Sequence, residues 1–241
     1  MKKLILSTAA LALVGSMTFA ESHTVVRLAT EGAYPPYNFI NDAGEVDGFE
    51  RELGDELCAR AALTCEWVTN EWDSIIPNLV SGNYDAIIAG MSITDERKEV
   101  IDFSDAYTLP DPSAFLGMGD VDVTTAVIAA QASTIQASYV AGMPGATLLE
   151  FASPDETIAA VKNGEADAVL ADKAFLEPVA ESDPEVSIIG DDVLIGGGIG
   201  LGVRKTDTEL RDKFSTAIQS MKDDGTLNAL IAKWLPGSAL F

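Results

Sequence analysis

The stretch with the clearest chemical potential is residues 86–97, AIIAGMSITDER. An apolar strand ends there in small residues, and a threonine then caps a short helix whose first turn is acidic. Arg97 does not fit this pattern, because a cation near a helix N-terminus opposes the helix dipole. Arg97, Ser92 and the free amides of the turn are suited to holding an anion between them. The alternative is a surface arginine that pairs with Glu96 or Glu99.

A second segment repeats the organisation of the first. A helix, a glycine stop, an Asp-Ala pair and an apolar strand occur over residues 80–90 and again over residues 161–172. Two copies of one unit predict two similar α/β lobes. Ligands of such lobes bind beyond the C-terminal ends of the strands. We therefore expect Gly90 and Ser92 at one lip of a cleft and Asp172 at the other.

Three further elements carry side chains suited to ligand binding. Residues 25–30 form a predicted strand that ends in a loop made rigid by two prolines, and this loop carries Glu31 and Tyr34. Trp72 begins a predicted helix, and Thr134 lies near the start of another helix that follows a polar turn.

Each of these residues also has a purely structural interpretation. Glu31 would then be a solvated loop acid, and Tyr34 and Trp72 would be ordinary half-buried aromatic residues. Asp172 would be a helix cap, because it follows a strand and precedes a predicted helix.

Two segments predict the connections between the lobes. Residues 105–125 are rich in proline, glycine and aspartate, which indicates the crossing and the approach to the second lobe. Residues 196–202, GGGIGLG, do not give G-x-G-x-x-G in any register, and no helix begins after them. We interpret them as the return crossover, where glycines let the backbone angles change.

Residues 1–20 predict a signal peptide. Two lysines precede an apolar run over residues 4–14, and small residues occupy the cleavage region. This run is too short to cross a bilayer, and no later run reaches the roughly 18–20 apolar residues needed. No cysteine lies near the cleavage point, which argues against a lipid anchor. We expect a periplasmic protein of 221 residues after cleavage, without membrane insertion.

Charge and cysteine content narrow the function classes. The chain carries a formal charge of −23, which disfavours binding to nucleic acid or anionic membranes. The charge mildly favours a cationic ligand, although adaptation to a saline habitat or simple solubility explains it equally well. Cys58 and Cys65, in an exported chain, predict one disulfide that contributes about 2 to 3 kcal/mol. A metal site would need more ligands than these thiols and His23, so we expect no metal and no cofactor.

Two motifs resemble a known family. Residues 90–97, GMSITDER, and residues 102–107, DFSDAY, are similar to the strand-helix and hinge motifs of the periplasmic polar amino-acid binding proteins of ABC importers. Within that family the chain resembles the group that binds lysine/arginine/ornithine, histidine and opines. The resemblance implies the two-lobed α/β periplasmic binding protein fold (type II) with two hinge crossovers. The implied lobes are residues 21–107 with 199–241, and residues 108–198.

The resemblance also implies a role for each polar candidate. Arg97 and Ser92 correspond to the clamp on the ligand α-carboxylate, to which Thr134 offers a hydroxyl and an amide. Asp172 corresponds to the partner of the α-ammonium group. Cysteines at the positions of the predicted disulfide match a disulfide of the basic amino-acid group.

The side-chain pocket departs in part from the family pattern. Tyr34 and Trp72 correspond to walls around the ligand, and Glu31 to the acid that faces a cationic side chain or amine. However, Ala89 replaces a hydroxyl residue of several basic amino-acid binders, and Ile135 replaces a common threonine. The expected ligand is therefore a basic or polar amino acid, or an opine.

The expected function is capture of this solute by a monomer that delivers it to a membrane permease, without catalysis. One alternative is a periplasmic cyclohexadienyl (arogenate/prephenate) dehydratase on the same fold, in which Glu31 would act as general acid. No base-nucleophile arrangement of His, Cys or Ser supports an enzyme. An extracytoplasmic sensor domain is disfavoured, because no transmembrane segment or signalling module occurs before Phe241.

Overall fold

The computed structural model describes residues 25–241, and the predicted signal peptide lies outside these residues. The strands are β1 Val26–Thr30, β2 Ala33–Tyr34, β3 Asn38–Ile40, β4 Val46–Asp47, β5 Cys65–Thr69, β6 Ala86–Ile87, β7 Asp102–Phe103, β8 Ser113–Gly117, β9 Val127–Gln131, β10 Thr147–Phe151, β11 Ala168–Asp172, β12 Ser187–Val193 and β13 Gly202–Val203. The helices are α1 Phe49–Arg60, α2 Trp72–Val80, α3 Asp95–Lys98, α4 Ile135–Ala141, α5 Pro154–Asn163, α6 Lys173–Ser182, α7 Thr208–Asp223 and α8 Thr226–Trp234. Within residues 25–241, every helix is too short or too polar to span a bilayer.

Two five-stranded sheets form the two lobes. The first sheet has the order β5-β1-β6-β13-β7, and the second has the order β10-β9-β11-β8-β12. The chain leaves the first sheet after β7 and returns to it at β13, so two crossovers connect the lobes. The lobe limits after residues 107 and 198 remain a prediction within these crossover segments.

Both faces of each sheet are covered by apolar side chains. Leu28 and its neighbour Ala29 are both buried, and they belong to different core clusters on opposite sides of the first sheet. Val169 and Leu170 divide in the same way between the two cores of the second sheet. Alternate residues of a strand point to opposite faces, so both faces of these mixed parallel and antiparallel sheets are buried.

The internal repeat is visible in the backbone. Gly82 ends α2 with φ of 83°, and Gly164 ends α5 with φ of 73°, so both adopt the left-handed conformation that favours glycine. The aspartates that follow make equivalent bonds. The Asp85 carboxylate accepts from the Arg27 amide at 3.0 Å, and the Asp167 carboxylate accepts from the Val127 amide at 2.8 Å. Each unit is thereby fixed to a parallel neighbouring strand of its own sheet, β1 in the first and β9 in the second.

One part of the predicted crossing is wrong. Residues 105–125 contain strand β8, which is buried throughout and pairs antiparallel with β11 and β12. Its five residues are too few to show a periodicity, and the flanking prolines, glycines and aspartates dominate the local composition.

The two crossovers approach each other closely at Gly198. This residue has φ of 92°, and a Cβ atom there would lie 2.6 Å from the carbonyl oxygen of Thr108 on the other crossover. Any larger residue would push the two segments apart.

The predicted disulfide between Cys58 and Cys65 is confirmed, with a Cα–Cα distance of 6.3 Å. It joins the last turn of α1 to the start of β5. The bond lies in the first lobe beside the apolar core, and neither cysteine is among the residues that line the cleft between the lobes.

Candidate functional site

A cleft lies between the two lobes. All eight residues predicted to bind a ligand line it. The complete lining is Glu31, Tyr34, Trp72, Ala89, Gly90, Ser92, Arg97, Gln131, Thr134, Ile135, Gln136 and Asp172.

Arg97 is held at the first-lobe side of the cleft by the start of α3. The Thr94 hydroxyl caps this helix and accepts from the Arg97 amide at 3.2 Å. The guanidinium donates to the Ser92 carbonyl at 2.8 Å and, across the cleft, to the Ser133 carbonyl at 3.2 Å. It also lies 5.3 Å above the ring centroid of Trp72. Burial lowers the pKa of Arg97 to about 10, so the group remains cationic at neutral pH.

Arg97 differs from the other arginines in its charge partners. Within residues 25–241 it forms no ion pair with a carboxylate at 4.0 Å or less, so the surface pair with Glu96 or Glu99 does not form. The other described arginines each have at least one ion pair: Arg27, Arg51, Arg60, Arg204 and Arg211. A largely buried cation without a close ion pair is costly, so this site favours an anionic ligand group.

Asp172 lies on the opposite lobe, at the end of β11. It occupies the N-cap position of α6, but its side chain makes no capping bond. Its carboxylate instead accepts from the Gln136 side-chain amide and from the Tyr34 hydroxyl, each at 2.9 Å. Burial raises the pKa of Asp172 to about 6, although the Tyr34 bond and the Arg97 charge act in the other direction. No cation of residues 25–241 forms an ion pair with this carboxylate, so it is suited to an ammonium group.

Tyr34 and Trp72 supply the aromatic surface of the cleft. The Tyr34 ring stacks on Phe175 of the second lobe, with centroids 4.5 Å apart and an interplanar angle of 12°. Trp72, at the start of α2, is 8% exposed and packs with the first-lobe core. Tyr34 therefore contacts the second lobe through both its ring and its hydroxyl.

Glu31 follows β1 and is partly buried, so it is not a freely solvated loop acid. Its Oε1 accepts from the Gln131 side-chain amide at 2.6 Å. Burial, helped by the negative charges of Glu71, Asp73 and Asp155, raises the pKa of Glu31 to about 7, although the Gln131 bond acts in the other direction. The acid is thus only partly ionised at neutral pH, and a cation close to it would favour its ionised form.

The remaining predicted residues shape the two lips. The Thr134 hydroxyl caps α4 by accepting from the Ala137 amide at 3.1 Å, and it donates to the Gln131 carbonyl at 2.6 Å. This hydroxyl is therefore already engaged in the fold. Gly90, three residues after β6, has φ of 60°, and Ser92 pairs with Ile199 of the return crossover in an isolated bridge.

The family model of bacterial extracellular solute-binding proteins, family 3, matches residues 26–237. The chain belongs to this family. Its members bind solutes outside the cytoplasm and are not enzymes, so the predicted location, binding function and absence of catalysis agree with the family.

Similar proteins are known in sequence and in structure. A periplasmic His/Glu/Gln/Arg/opine family-binding protein from Silicibacter pomeroyi, solved in complex with lysine, is 65% identical, with a TM-score of 0.87 over 90% of this chain and 100% of that one. The lysine/arginine/ornithine-binding periplasmic protein of Escherichia coli (strain K12) is 31% identical over 97% of both chains. An ancestral amino acid-binding protein, a precursor of cyclohexadienyl dehydratase, is 28% identical, with a TM-score of 0.78 over 87% of this chain and 95% of that one. The predicted two-lobed α/β fold is confirmed by these similarities.

Sequence reasoning missed three residues of this solute-binding protein. Gln131 is the last residue of β9, so the rule that ligands bind beyond strand ends was sufficient to find it. Phe175 lies three positions after Asp172, on the same side of the first turn of α6. Gln136 contacts Asp172 from the first turn of α4, and nothing in its local sequence signals this long-range bond.

Proposed function

We propose that this solute-binding protein captures a free amino acid with a basic side chain and delivers it to an ABC transporter permease. Arg97 and Ser92 would bind the α-carboxylate, and Asp172 would bind the α-ammonium group. One observation carries the proposal. A cation and an anion from opposite lobes line the same cleft, and neither has an ionic partner within residues 25–241.

The energetics of a buried zwitterion explain why both groups are needed. Removing the two charges of an amino acid from water is prohibitive unless each finds a charged, hydrogen-bonded partner. Each charge-assisted bond contributes roughly 1.5 to 3 kcal/mol net. Four or five such bonds with aromatic contacts suffice for about 8 kcal/mol, which corresponds to micromolar affinity.

The side-chain end of the cleft supports a cationic ligand. Tyr34 and Trp72 provide apolar walls for an aliphatic chain, and Glu31 provides a partner for its charged end. The negative charges of Glu71, Asp73 and Asp155 act on Glu31, so a cation there would relieve like-charge repulsion. The similar protein solved with lysine and the lysine/arginine/ornithine-binding relative support the same ligand class.

Ligand capture would be coupled to closure of the lobes. Three polar contacts cross the cleft: Arg97 to Ser133, Tyr34 to Asp172, and Gln131 to Glu31. A ligand that bridges Arg97 and Asp172 therefore favours the closed arrangement over an open one. We propose that the closed monomer docks on its permease. We also propose that the boundaries between the lobes lie after residues 107 and 198.

Isothermal titration calorimetry with L-lysine tests the proposal. We expect Arg97→Ala to abolish binding and to leave the unfolding temperature nearly unchanged, because Arg97 forms no ion pair within the described residues. Lys98→Ala is the matched control, since Lys98 is an exposed cation on the same helix. Wild-type affinity in the Arg97→Ala protein would overturn the assignment.

A thermal-shift screen against amino acids and opines would define the ligand. A ligand at one hundred times its dissociation constant stabilises a protein by about 2.7 kcal/mol. In parallel, incubation with prephenate and arogenate should yield no aromatic product, whereas turnover would favour the dehydratase alternative.

A further inference from the structure

Glu50 is a fully buried carboxylate that does not line the ligand cleft. It lies in the first turn of α1 and is 0% exposed. Its Oε1 accepts from the Gly90 amide at 2.6 Å and from the Tyr107 hydroxyl, and its Oε2 accepts from the Asn38 side-chain amide at 2.7 Å. The carboxylate is thus bound by three donors that are distant in the sequence.

The three donors belong to separate parts of the binding machinery. Gly90 lies two residues before Ser92 at the lip of the cleft. Asn38 accepts in turn from the amide of Gly32 at 2.7 Å, which fixes the backbone directly after Glu31. The buried Glu50 side chain therefore fixes the backbone at Gly90 directly and, through Asn38, the backbone directly after Glu31.

The third donor connects Glu50 to the crossovers. Tyr107 is fully buried on the first crossover, and its amide donates to the Ile199 carbonyl of the second crossover at 2.8 Å. The Glu50 cluster, defined as Glu50, Asn38, Gly90 and Tyr107, thus joins the first-lobe binding surface to the segments that change angle when lobes move.

Packing alone does not explain why a carboxylate occupies this buried position. Burial raises the pKa of Glu50, and the Asp172 charge acts in the same direction, whereas the bonds from Tyr107, Gly90 and Asn38 lower it. An apolar side chain would avoid this desolvation cost. The carboxylate is the group that can accept from three donors converging from different elements.

We propose that Glu50 is a positioning residue for ligand binding, which holds Glu31 and the Gly90 lip in register with the crossovers. The proposal rests on the proposed function of the cleft. It assigns no contact between Glu50 and the ligand.

Moving the charge while keeping the hydrogen bonds tests this role. In Glu50→Gln, the new side-chain NH₂ group faces the NH₂ group of Asn38, so two donors oppose each other. The Asn38 side chain must then turn, and the backbone amide of Gly32 loses its acceptor. In Asn38→Asp, two carboxylates face each other. In the double variant, the amide introduced at position 50 donates to the carboxylate introduced at position 38. That carboxylate still accepts from the Gly32 amide, so both bonds at position 38 are restored.

The affinity for L-lysine, measured by calorimetry, should follow the hydrogen-bond pattern. We expect each single variant to lose about tenfold or more in affinity, equivalent to about 1.4 kcal/mol, and the double variant to recover to within about threefold of wild type. Glu52→Gln on the same helix is the matched control and should bind as wild type does. Single variants that unfold at lower temperature but bind with wild-type affinity would overturn the proposal, as would a double variant as weak as the singles.

Amide exchange in the ligand-free protein separates this proposal from the proposed function. Measured by NMR, exchange at Gly32 should accelerate in Glu50→Gln and return to the wild-type rate in the double variant. If wild type fails to bind L-lysine, the proposed function fails, while this exchange pattern still supports the positioning role. Unchanged exchange at Gly32 in Glu50→Gln would overturn the positioning role itself.

Discussion

Ligand affinity should depend on pH through Glu31. The acid has a pKa of about 7 in the ligand-free cleft because burial disfavours its charged form. A cationic side chain binds well only to the ionised acid, and its charge then lowers the pKa of Glu31. Binding must therefore release a proton near neutral pH, and affinity must rise as pH rises.

The size of the effect follows from the two shifted carboxyl groups. With a pKa of about 7, Glu31 is about one tenth ionised at pH 6 and about nine tenths ionised at pH 8. Affinity for L-lysine should therefore fall about tenfold from pH 8 to pH 6, or about 1.4 kcal/mol. Asp172, with a pKa of about 6, should add about a further twofold loss over this range.

Calorimetry at pH 6, 7 and 8 measures both predicted quantities. Titration in two buffers with different ionisation enthalpies gives the number of protons released, which should be about half a proton from Glu31 at pH 7. In Glu31→Gln, binding should be weaker overall, and only the twofold dependence from Asp172 should remain. The charge control is Glu71→Gln, in which the Glu31 dependence should persist but be smaller than tenfold between pH 8 and pH 6, because removing the Glu71 charge lowers the pKa of Glu31.

Two results would refute this reasoning. One is a wild-type affinity that stays within twofold between pH 6 and pH 8, since Glu31 would then not change its ionisation on binding. The other is a tenfold fall that persists in Glu31→Gln, which would place the titrating group elsewhere.

Two more substitutions test the cross-lobe contact and the disulfide. Tyr34→Phe keeps the stack on Phe175 but removes the hydroxyl bond to Asp172, so calorimetry should show affinity weaker by about threefold to tenfold; an unchanged affinity would contradict a role for that bond. Replacing Cys58 and Cys65 by serine should lower the free energy of unfolding by about 2 to 3 kcal/mol in denaturant titrations. L-lysine affinity should stay at the wild-type value in this double variant, because neither cysteine lines the cleft, and a loss of binding would show that the disulfide shapes the site.

Local signals were sufficient to predict much of the fold. The two copies of the helix, glycine and strand unit are encoded within short windows, and Gly82 and Gly164 adopt the left-handed conformation that their positions require. Strand β8 was missed because antiparallel pairing with β11 and β12 is a long-range property. Five buried residues between polar flanks carry no periodicity of their own.

Site residues were predictable where the local sequence itself makes a charged side chain unusual. Arg97 was identifiable because a cation near a helix N-terminus opposes the helix dipole, and Asp172 because it is a charged residue at the end of an apolar strand. Glu50 was not, because an acid in the first turn of a helix is also what the helix dipole favours. Its partners Gly90 and Tyr107 lie 40 and 57 residues away along the chain, and only the folded structure brings them together.

The contacts between the two lobes across the cleft involve residues that are proposed to bind the ligand. Arg97 contacts Ser133, and Asp172 contacts Tyr34, in each case across the two lobes. A zwitterion between Arg97 and Asp172 satisfies both charges only when the lobes are close, because each lobe supplies one charge. The ligand therefore stabilises the closed arrangement most when the distance between its carboxylate and ammonium groups matches the distance between Arg97 and Asp172. A solute with only a carboxylate would engage the first lobe and leave Asp172 without a cation, so it should bind weakly and leave the closed state poorly populated.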